Sequence, residues 1–222
     1  RKALRVASSF PLRLERIKHR NPRRLEIRHI ARLCHCTKAE AFLAFFRVFV
    51  WLDEQPSSEV LPGLHYLRNG HVFELGAGKE VLRVGGIGGC FGPSNFERLS
   101  TTLRSREKRH YTRDEISLLS EQANLDIVLT HDAPAGVRFG RHRRGEGFVS
   151  EAVGLDELLA KTRPRVCFFG HHHSRVDATV AGVSCVGLNK GHHPGCLVAL
   201  DMQPAERSWR ILGEWPEARA SE

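Results

Sequence analysis

Two apolar runs that each end in histidine constrain this chain more than any other feature. IVLT at 127–130 leads directly into His131-Asp132, and VCFF at 166–169 leads through Gly170 into His171-His172-His173. A four-residue apolar run bounded by turn residues reads as a fully buried strand, and LDELLAKT between the two carries its leucines at helical spacing. Strand, helix, strand is the unit whose two strands lie parallel as neighbours in one sheet. Both strands then end at one edge, and α/β sheets place ligands outside the carboxyl ends of their strands. Residues two apart on an extended segment point the same way, so His171 and His173 are expected to face one site and His172 another, with Gly170 giving the sharp turn before them. Converging imidazoles indicate a transition-metal site. A lone histidine would read as a hydrogen-bonded structural residue; the pairing of strand-H-D-x-P with strand-G-H-x-H is far more specific than either half.

The text around this pair supports an α/β layered domain with a mixed sheet. LPGLHYLRNGHVFEL reads as two short strands joined by an Asn69-Gly70 hairpin turn. VLRVGGIGG at 81–89 reads as a buried strand running into glycines packed close to neighbouring backbone. It is not a dinucleotide fingerprint, because Cys90-Phe91-Gly92-Pro93 follows in place of a helix. A long, polar, loop-rich insertion comes next, in which Ser94 and Asn95 serve either substrate contact or turn chemistry. Thr112 and Glu115 form a capping box for a helix beginning RDEISLL. After the histidines, VDATVAGVSCVGL, CLVALDM and SWRILGEW read as hairpin-connected strands.

THDAP and GHHH, with a helix between them, resemble the last two motifs of the calcineurin-like metallophosphoesterases. The order LRNG, VFEL, GGIGG, long loop, LTHDAP, FFGHHH is most similar to bacterial relatives of the RNA lariat-debranching branch. The resemblance runs from Leu61 to about Trp215, roughly the last seven-tenths of the chain. It implies a metallophosphoesterase-type β-sandwich with flanking helices, and hydrolysis of a phosphomonoester or phosphodiester by two divalent ions (Mn, Fe or Zn). His131 and His171 then match ligands of the second metal and His173 a ligand of the first. Asp132 and Pro134 match the loop that shapes the site and holds the backbone and tautomer of His131. Two ions about 3.5–4 Å apart would activate a bridging water and steady the attacking and leaving oxygens.

The family's first half supplies D-x-H, G-D-x-x-D and G-N-H-[DE], and none of these strings occurs in residues 1–60. Three imidazoles without a bridging carboxylate suit one metal better than two. The fold is therefore expected with its first half missing or replaced, and the function as either a phosphoesterase, incomplete here, or a catalytically inactive remnant serving as a binding or structural module. A weaker reading is a metal binder in which His172, His192 and His193 matter as much as the rest.

Charge patterning isolates the same first segment. The chain carries a net +9, but residues 1–50 hold 13 basic and 3 acidic side chains, leaving 21 of the 34 basic and 22 of the 25 acidic residues for the other 172. The excess belongs to one segment, and the remainder is close to neutral. Residues 1–55 are expected to be a basic, partly ordered extension, 56–216 the metallophosphoesterase part and 217–222 a tail. An Arg-rich leader suits a transit peptide or an RNA-binding arm, with a solvated extension the preferred reading. Opening on Arg1, it suits a fragment, or a truncated or out-of-frame stretch. Cys34-His35-Cys36 lacks a second half-site for a tetrahedral metal, and 41–54 is expected to be a short buried or partner-facing helix.

Six scattered cysteines suit a reducing, cytoplasmic setting, with Cys167 and Cys185 as core residues. The longest apolar stretch, 41–52, is interrupted by Arg47 and too short for a bilayer, and no signal peptide is visible. One basic cluster, Arg104 to Arg113, precedes a helix. The other, Arg138 with the arginines at 141, 143 and 144, either meets a phosphate or nucleic-acid backbone beside the metals or forms a surface loop. Nucleic acid stays an open partner; beyond Tyr111 and Phe139 neither cluster carries interleaved aromatics for base stacking, so single-strand specificity is unsupported. The loop from Asn189 to His193 reads as a surface hairpin, with a substrate or metal role the alternative.

Overall fold

A computed structural model describes residues 4–5, 59–61, 64–77, 80–140, 147–191, 193–203 and 208–215. Apart from residues 4–5, the basic leader lies outside them. So do Cys34-His35-Cys36, the helix expected over 41–54, the arginine run at 141–144, His192 and the 217–222 tail. The chain divides into two compact units, residues 8–66 and residues 1–7 together with 67–222. In the larger unit β1 (Leu4–Arg5) comes first. The described part of the smaller unit holds a hairpin of β2 (Glu59–Leu61) and β3 (Leu64–His65).

All other elements belong to the larger unit. Along the chain come β4 (Val72–Ala77), β5 (Glu80–Ile87), the short helix α1 (Pro93–Phe96) and α2 (Arg113–Ser120). They are followed by β6 (Ile127–Thr130), a small ribbon of β7 (Arg138–Phe139) and β8 (Phe148–Val149), and α3 (Leu155–Thr162). The last strands are β9 (Val166–Phe169), β10 (Val176–Val180), β11 (Val183–Gly187), β12 (Leu197–Gln203) and β13 (Ser208–Trp215).

Six strands form one mixed sheet in the order β10-β11-β9-β6-β5-β4. Its four inner strands run parallel, and β4 and β10 close the edges antiparallel. The strand–helix–strand unit read from the sequence is present, with β6 and β9 direct parallel neighbours in the register Val128↔Cys167 and Thr130↔Phe169. A second sheet, β1-β12-β13, makes the other half of a sandwich.

Side-chain alternation explains the layers. On β6 and β9, Val128, Cys167 and Phe169 point to one face, where Ile116 and Leu119 of α2 and Leu155, Leu158 and Leu159 of α3 cover them. The alternate residues Ile127, Val166 and Phe168 point to the other face, where Val198, Leu200, Trp209 and Ile211 of the second sheet pack on them. Strands buried on both faces have to be apolar throughout, which is why VCFF and IVLT carry no alternation for sequence reading to find. Cys185 lies opposite Cys167 on the neighbouring strand, and both are buried free thiols, as expected of core cysteines.

The Thr112–Glu115 capping box is present, with the Thr112 N–H donating to Glu115 Oε2 at 3.0 Å. The Asn69-Gly70 hairpin is not. Gly70 does sit in a turn, with φ +75°, but β4 pairs with β5 and β3 with β2. Asn69 is spent on another task. Its amide accepts the Gly88 N–H at 2.6 Å and donates to Gly88 O and Glu115 Oε1, both at 3.1 Å. Tertiary bonds thus take over a dipeptide whose local preference is for a hairpin.

Candidate metal centre

Three neighbouring parallel strands end level with one another, since Ile87, Thr130 and Phe169 share one row of the register. The ladder runs one step further: His131 N–H donates to Ile87 O at 3.0 Å, and Gly170 N–H donates to His131 O at 3.2 Å. Each strand then releases one side chain into the same space, Cys90 after β5, His131 after β6 and His171 after β9. His131 Nε2 lies 3.1 Å from His171 Nδ1. Cys90 Sγ lies 3.5 Å from that same Nδ1. Ligand atoms of the three residues all fall within 4.8 Å of one another, which makes them the one three-donor cluster among the described residues.

Each loop has its own construction. Gly89, at φ +89°, brings the backbone so close to the next segment that a Cβ there would lie 2.7 Å from Arg109 O. The Cys90 N–H donates to that Arg109 carbonyl at 2.8 Å, which fixes where the thiol emerges. The His131 loop turns on Asp132, whose buried carboxylate accepts the N–H groups of Phe91 and Ala133, each at 2.9 Å, and meets His172 Nε2 at 3.0 Å. Asp132 thereby joins all three loops. Pro134 is buried in the same turn, and its carbonyl accepts the Val137 N–H at 3.3 Å.

The His171 loop departs from the extended shape assumed for it. His171 and His173 have φ of +57° and +54°, and the His172 N–H reaches back to Gly170 O at 2.6 Å. That is a γ-turn centred on a left-handed non-glycine residue, a strained conformation. Gly170 itself is not left-handed, so the sharp bend falls one residue later than its glycine suggests. Alternation does not apply to such a segment. The structure sends His172 inward, onto the rings of Phe139 and Phe148 at 4.4 and 5.2 Å, while His171 and His173 are exposed.

Electrostatics favour neutral donors. Burial pushes the Cys90 thiol up, Asp132 adds to the rise, and Arg109 opposes it. The His131 side chain reaches solvent, yet crowding by the surrounding loops lowers its pKa, with His171 the next cause and Asp132 opposing. Burial alone would raise the pKa of Asp132, but the bonds from His172, Phe91 and Ala133 outweigh it and hold the carboxyl below its ordinary value.

Of the residues singled out in the sequence, His131 and His171 meet directly. His173 sits two residues further on and contributes to the field at His131, outside the three-donor cluster. Arg138 is exposed on β7, beside the Phe139 that packs on His172. Asn189 accepts the Lys190 N–H at 2.8 Å and donates to Pro194 O at 2.9 Å, closing the loop that follows β11. Cys90 was not anticipated as a member of the cluster. Cys90 stands 41 and 81 residues from its partners, and such separations carry no spacing signature.

The chain is 28% identical over 155 aligned residues to the lariat debranching enzyme of Schizosaccharomyces pombe, a match covering 59% of this chain and 32% of that enzyme. The chain resembles the calcineurin-like metallophosphoesterases over its C-terminal half. It therefore spans 32% of the length of the curated relative it matches. No protein-family model matches the chain. Among solved structures, TT1561 of Thermus thermophilus is similar at a TM-score of 0.39 and 13% identity, covering 78% of this chain and 79% of that one. The sulfate thiohydrolase SoxB of Thermus thermophilus is similar at 0.33 and 16%, covering 64% of this chain and 24% of that one. No helix among the described residues is long and apolar enough to cross a membrane.

The donor set at the strand ends fits one divalent ion: two imidazoles and a thiol, all able to present lone pairs to a common point. Asp132, the carboxylate nearest to it in sequence, is already committed to Phe91, Ala133 and His172.

Proposed function

We propose that this chain carries the C-terminal part of a metal-dependent phosphoesterase, acting on a phosphomonoester or phosphodiester. The observation that supports this reading most directly is the 3.1 Å approach of His131 Nε2 to His171 Nδ1 at the carboxyl ends of β6 and β9. His131, His171 and His173 would hold divalent metal, manganese, iron or zinc, and a bound ion supplies Lewis-acid activation of water and of the phosphoryl oxygens. The chain's own residues do the positioning. Asp132 fixes the His131 turn and, through Phe91, the loop after β5. Gly170 and Pro134 shape the two loops, and Asn189 holds the loop that follows β11. Arg138, exposed beside the site, offers a guanidinium to a phosphate. The relative's name makes a lariat the first phosphodiester to try, and a reducing cytoplasmic setting suits the free thiols.

The experiment is hydrolysis of a chromogenic phosphodiester, then of a branched RNA, by the purified chain with added Mn²⁺ or Zn²⁺. Activity above background that falls at least about 100-fold in His131→Ala supports the reading. Metal binding without turnover on either substrate replaces it with the inactive binding module.

A further inference from the structure

We infer that Cys90 is a metal ligand, so that Cys90, His131 and His171 form a thiolate–imidazole site for a single ion of borderline softness, with zinc preferred over manganese or magnesium. The inference shares His131 and His171 with the proposed phosphoesterase, but adds a ligand and an ion class that the phosphoesterase reading does not require.

The distances carry it. A tetrahedral zinc ion has Zn–S of about 2.3 Å and Zn–N of about 2.0–2.1 Å, so its sulfur and nitrogen ligands stand about 3.5 Å apart and its two nitrogens about 3.3 Å apart. The observed separations are 3.5 Å for Cys90 Sγ to His171 Nδ1 and 3.1 Å for His131 Nε2 to the same Nδ1. Hydrogen bonding accounts for them less well. One imidazole nitrogen carries either one proton or one lone pair, so Nδ1 of His171 can satisfy only one of the two atoms that approach it. An ion at the common point satisfies all three.

The setting agrees with the donor set. Each ligand leaves a different parallel strand, and the backbone before each is fixed by the bonds to Arg109 O, Ile87 O and His131 O. His131 and His171 are exposed, and Cys90 is half-buried. Three protein ligands with a solvent-facing fourth side is the form of a site that takes water or a substrate oxygen. A thiolate with two imidazoles selects zinc, or cobalt in its place, whereas manganese and magnesium favour oxygen donors. The left-handed turn at His171 is strain that a metal bond would offset.

The test is titration of the chelator-treated, reduced full chain with Co²⁺. One ion per chain is expected, with thiolate-to-cobalt charge-transfer absorption in the near ultraviolet and the intense visible bands of a four-coordinate ion. Cys90→Ser should remove the charge-transfer band and weaken zinc binding by at least about 100-fold, more than loss of an outer hydrogen-bond partner costs. Binding without that band, or unchanged zinc affinity in Cys90→Ser, overturns the inference. Should that variant fail to fold, zinc protection of Cys90 from alkylation, read by mass spectrometry on the unsubstituted chain, decides instead: protection supports the site and its absence refutes it. Hydrolysis is scored separately. One thiolate-bound ion with no turnover upholds this site and removes the phosphoesterase; turnover with no charge-transfer band does the reverse.

Discussion

The loops after β6 and β9 each deliver one imidazole to the same point, and they do it by different means. The first is pinned from within. Thr130 Oγ1 donates to Asp132 O at 2.7 Å, the Asp132 carboxylate accepts two N–H groups, and Ser150 Oγ donates to Ala133 O at 2.7 Å. Among the residues from His131 to Val137, none has a left-handed backbone except Gly136. The second loop places two of its three histidines in the left-handed region, and the third, His172, bonds Asp132 and packs on the rings of Phe139 and Phe148. One loop has its polar groups satisfied in an ordinary backbone; the other adopts a costly backbone and leans on side-chain contacts with its neighbours.

The comparison is most exposed to failure at Asp132. Asp132→Ala strips a buried carboxylate from the Phe91 and Ala133 N–H groups and from His172, and should cost about 3 kcal/mol in chemical denaturation. An effect under about 1 kcal/mol would mean that the first loop is not pinned as described. Next in size is His172→Phe, which keeps a ring against Phe139 but loses the bond to Asp132. It should cost about 1–2 kcal/mol and leave the fold around β6 intact, with faster amide exchange confined to residues after β9. Equal exchange in both loops would erase the distinction between them.

A gain is expected at His171. Relief of left-handed strain is worth about 1–3 kcal/mol, and glycine's extra unfolded-state entropy takes back about 0.5–1 kcal/mol. His171→Gly should therefore raise stability by about 1 kcal/mol while removing a metal ligand. His131→Ala, in the unstrained loop, should change stability by less than about 0.5 kcal/mol. Thermal melts of the two metal-free variants, run side by side, give the contrast directly, and a destabilised His171→Gly would show that the turn stores no strain.

Much of this arrangement was legible in the sequence because it follows from burial and topology. IVLT and VCFF, apolar on both faces, had to be inner strands, and the leucines of α3 had to cover them. That alone places His131 and His171 at one edge. Cys167 and Cys185 were legible as core thiols for the same reason. What escaped depends on tertiary geometry. Asn69-Gly70 has the composition of a hairpin turn, but its amide is worth more bonded to Gly88 and Glu115 than in a local turn. The direction of His172, away from His171 and His173, was legible, but the left-handed φ at His171 and His173 was not, since no spacing announces it in a non-glycine residue. Cys90 looked like one scattered cysteine among six, because its role depends on the level at which β5 ends beside β6.

The loop after β5 is built in a third way, and it allows the finest test. It is clasped by Asn69, which also bonds Glu115 at the start of α2. Burial raises the pKa of Glu115 above 4.5, even against the opposing bonds from Thr112 and Asn69. Between 4.5 and that raised value the native chain binds more protons than the unfolded one, so stability falls as pH rises through the window and levels off above it. Glu115→Gln has no such proton to lose. The difference in unfolding free energy between the two chains, measured in steps from about pH 4 to 7, should therefore slope against the unsubstituted chain and then flatten. Asp114, where the Ser100 and Thr112 hydroxyls outweigh the effect of burial, titrates in both chains and cancels. A difference that stays flat throughout would mean that Asn69 and Thr112 satisfy the Glu115 carboxylate fully. The loop that carries Cys90 would then be pinned by the same device as the loop that carries His131.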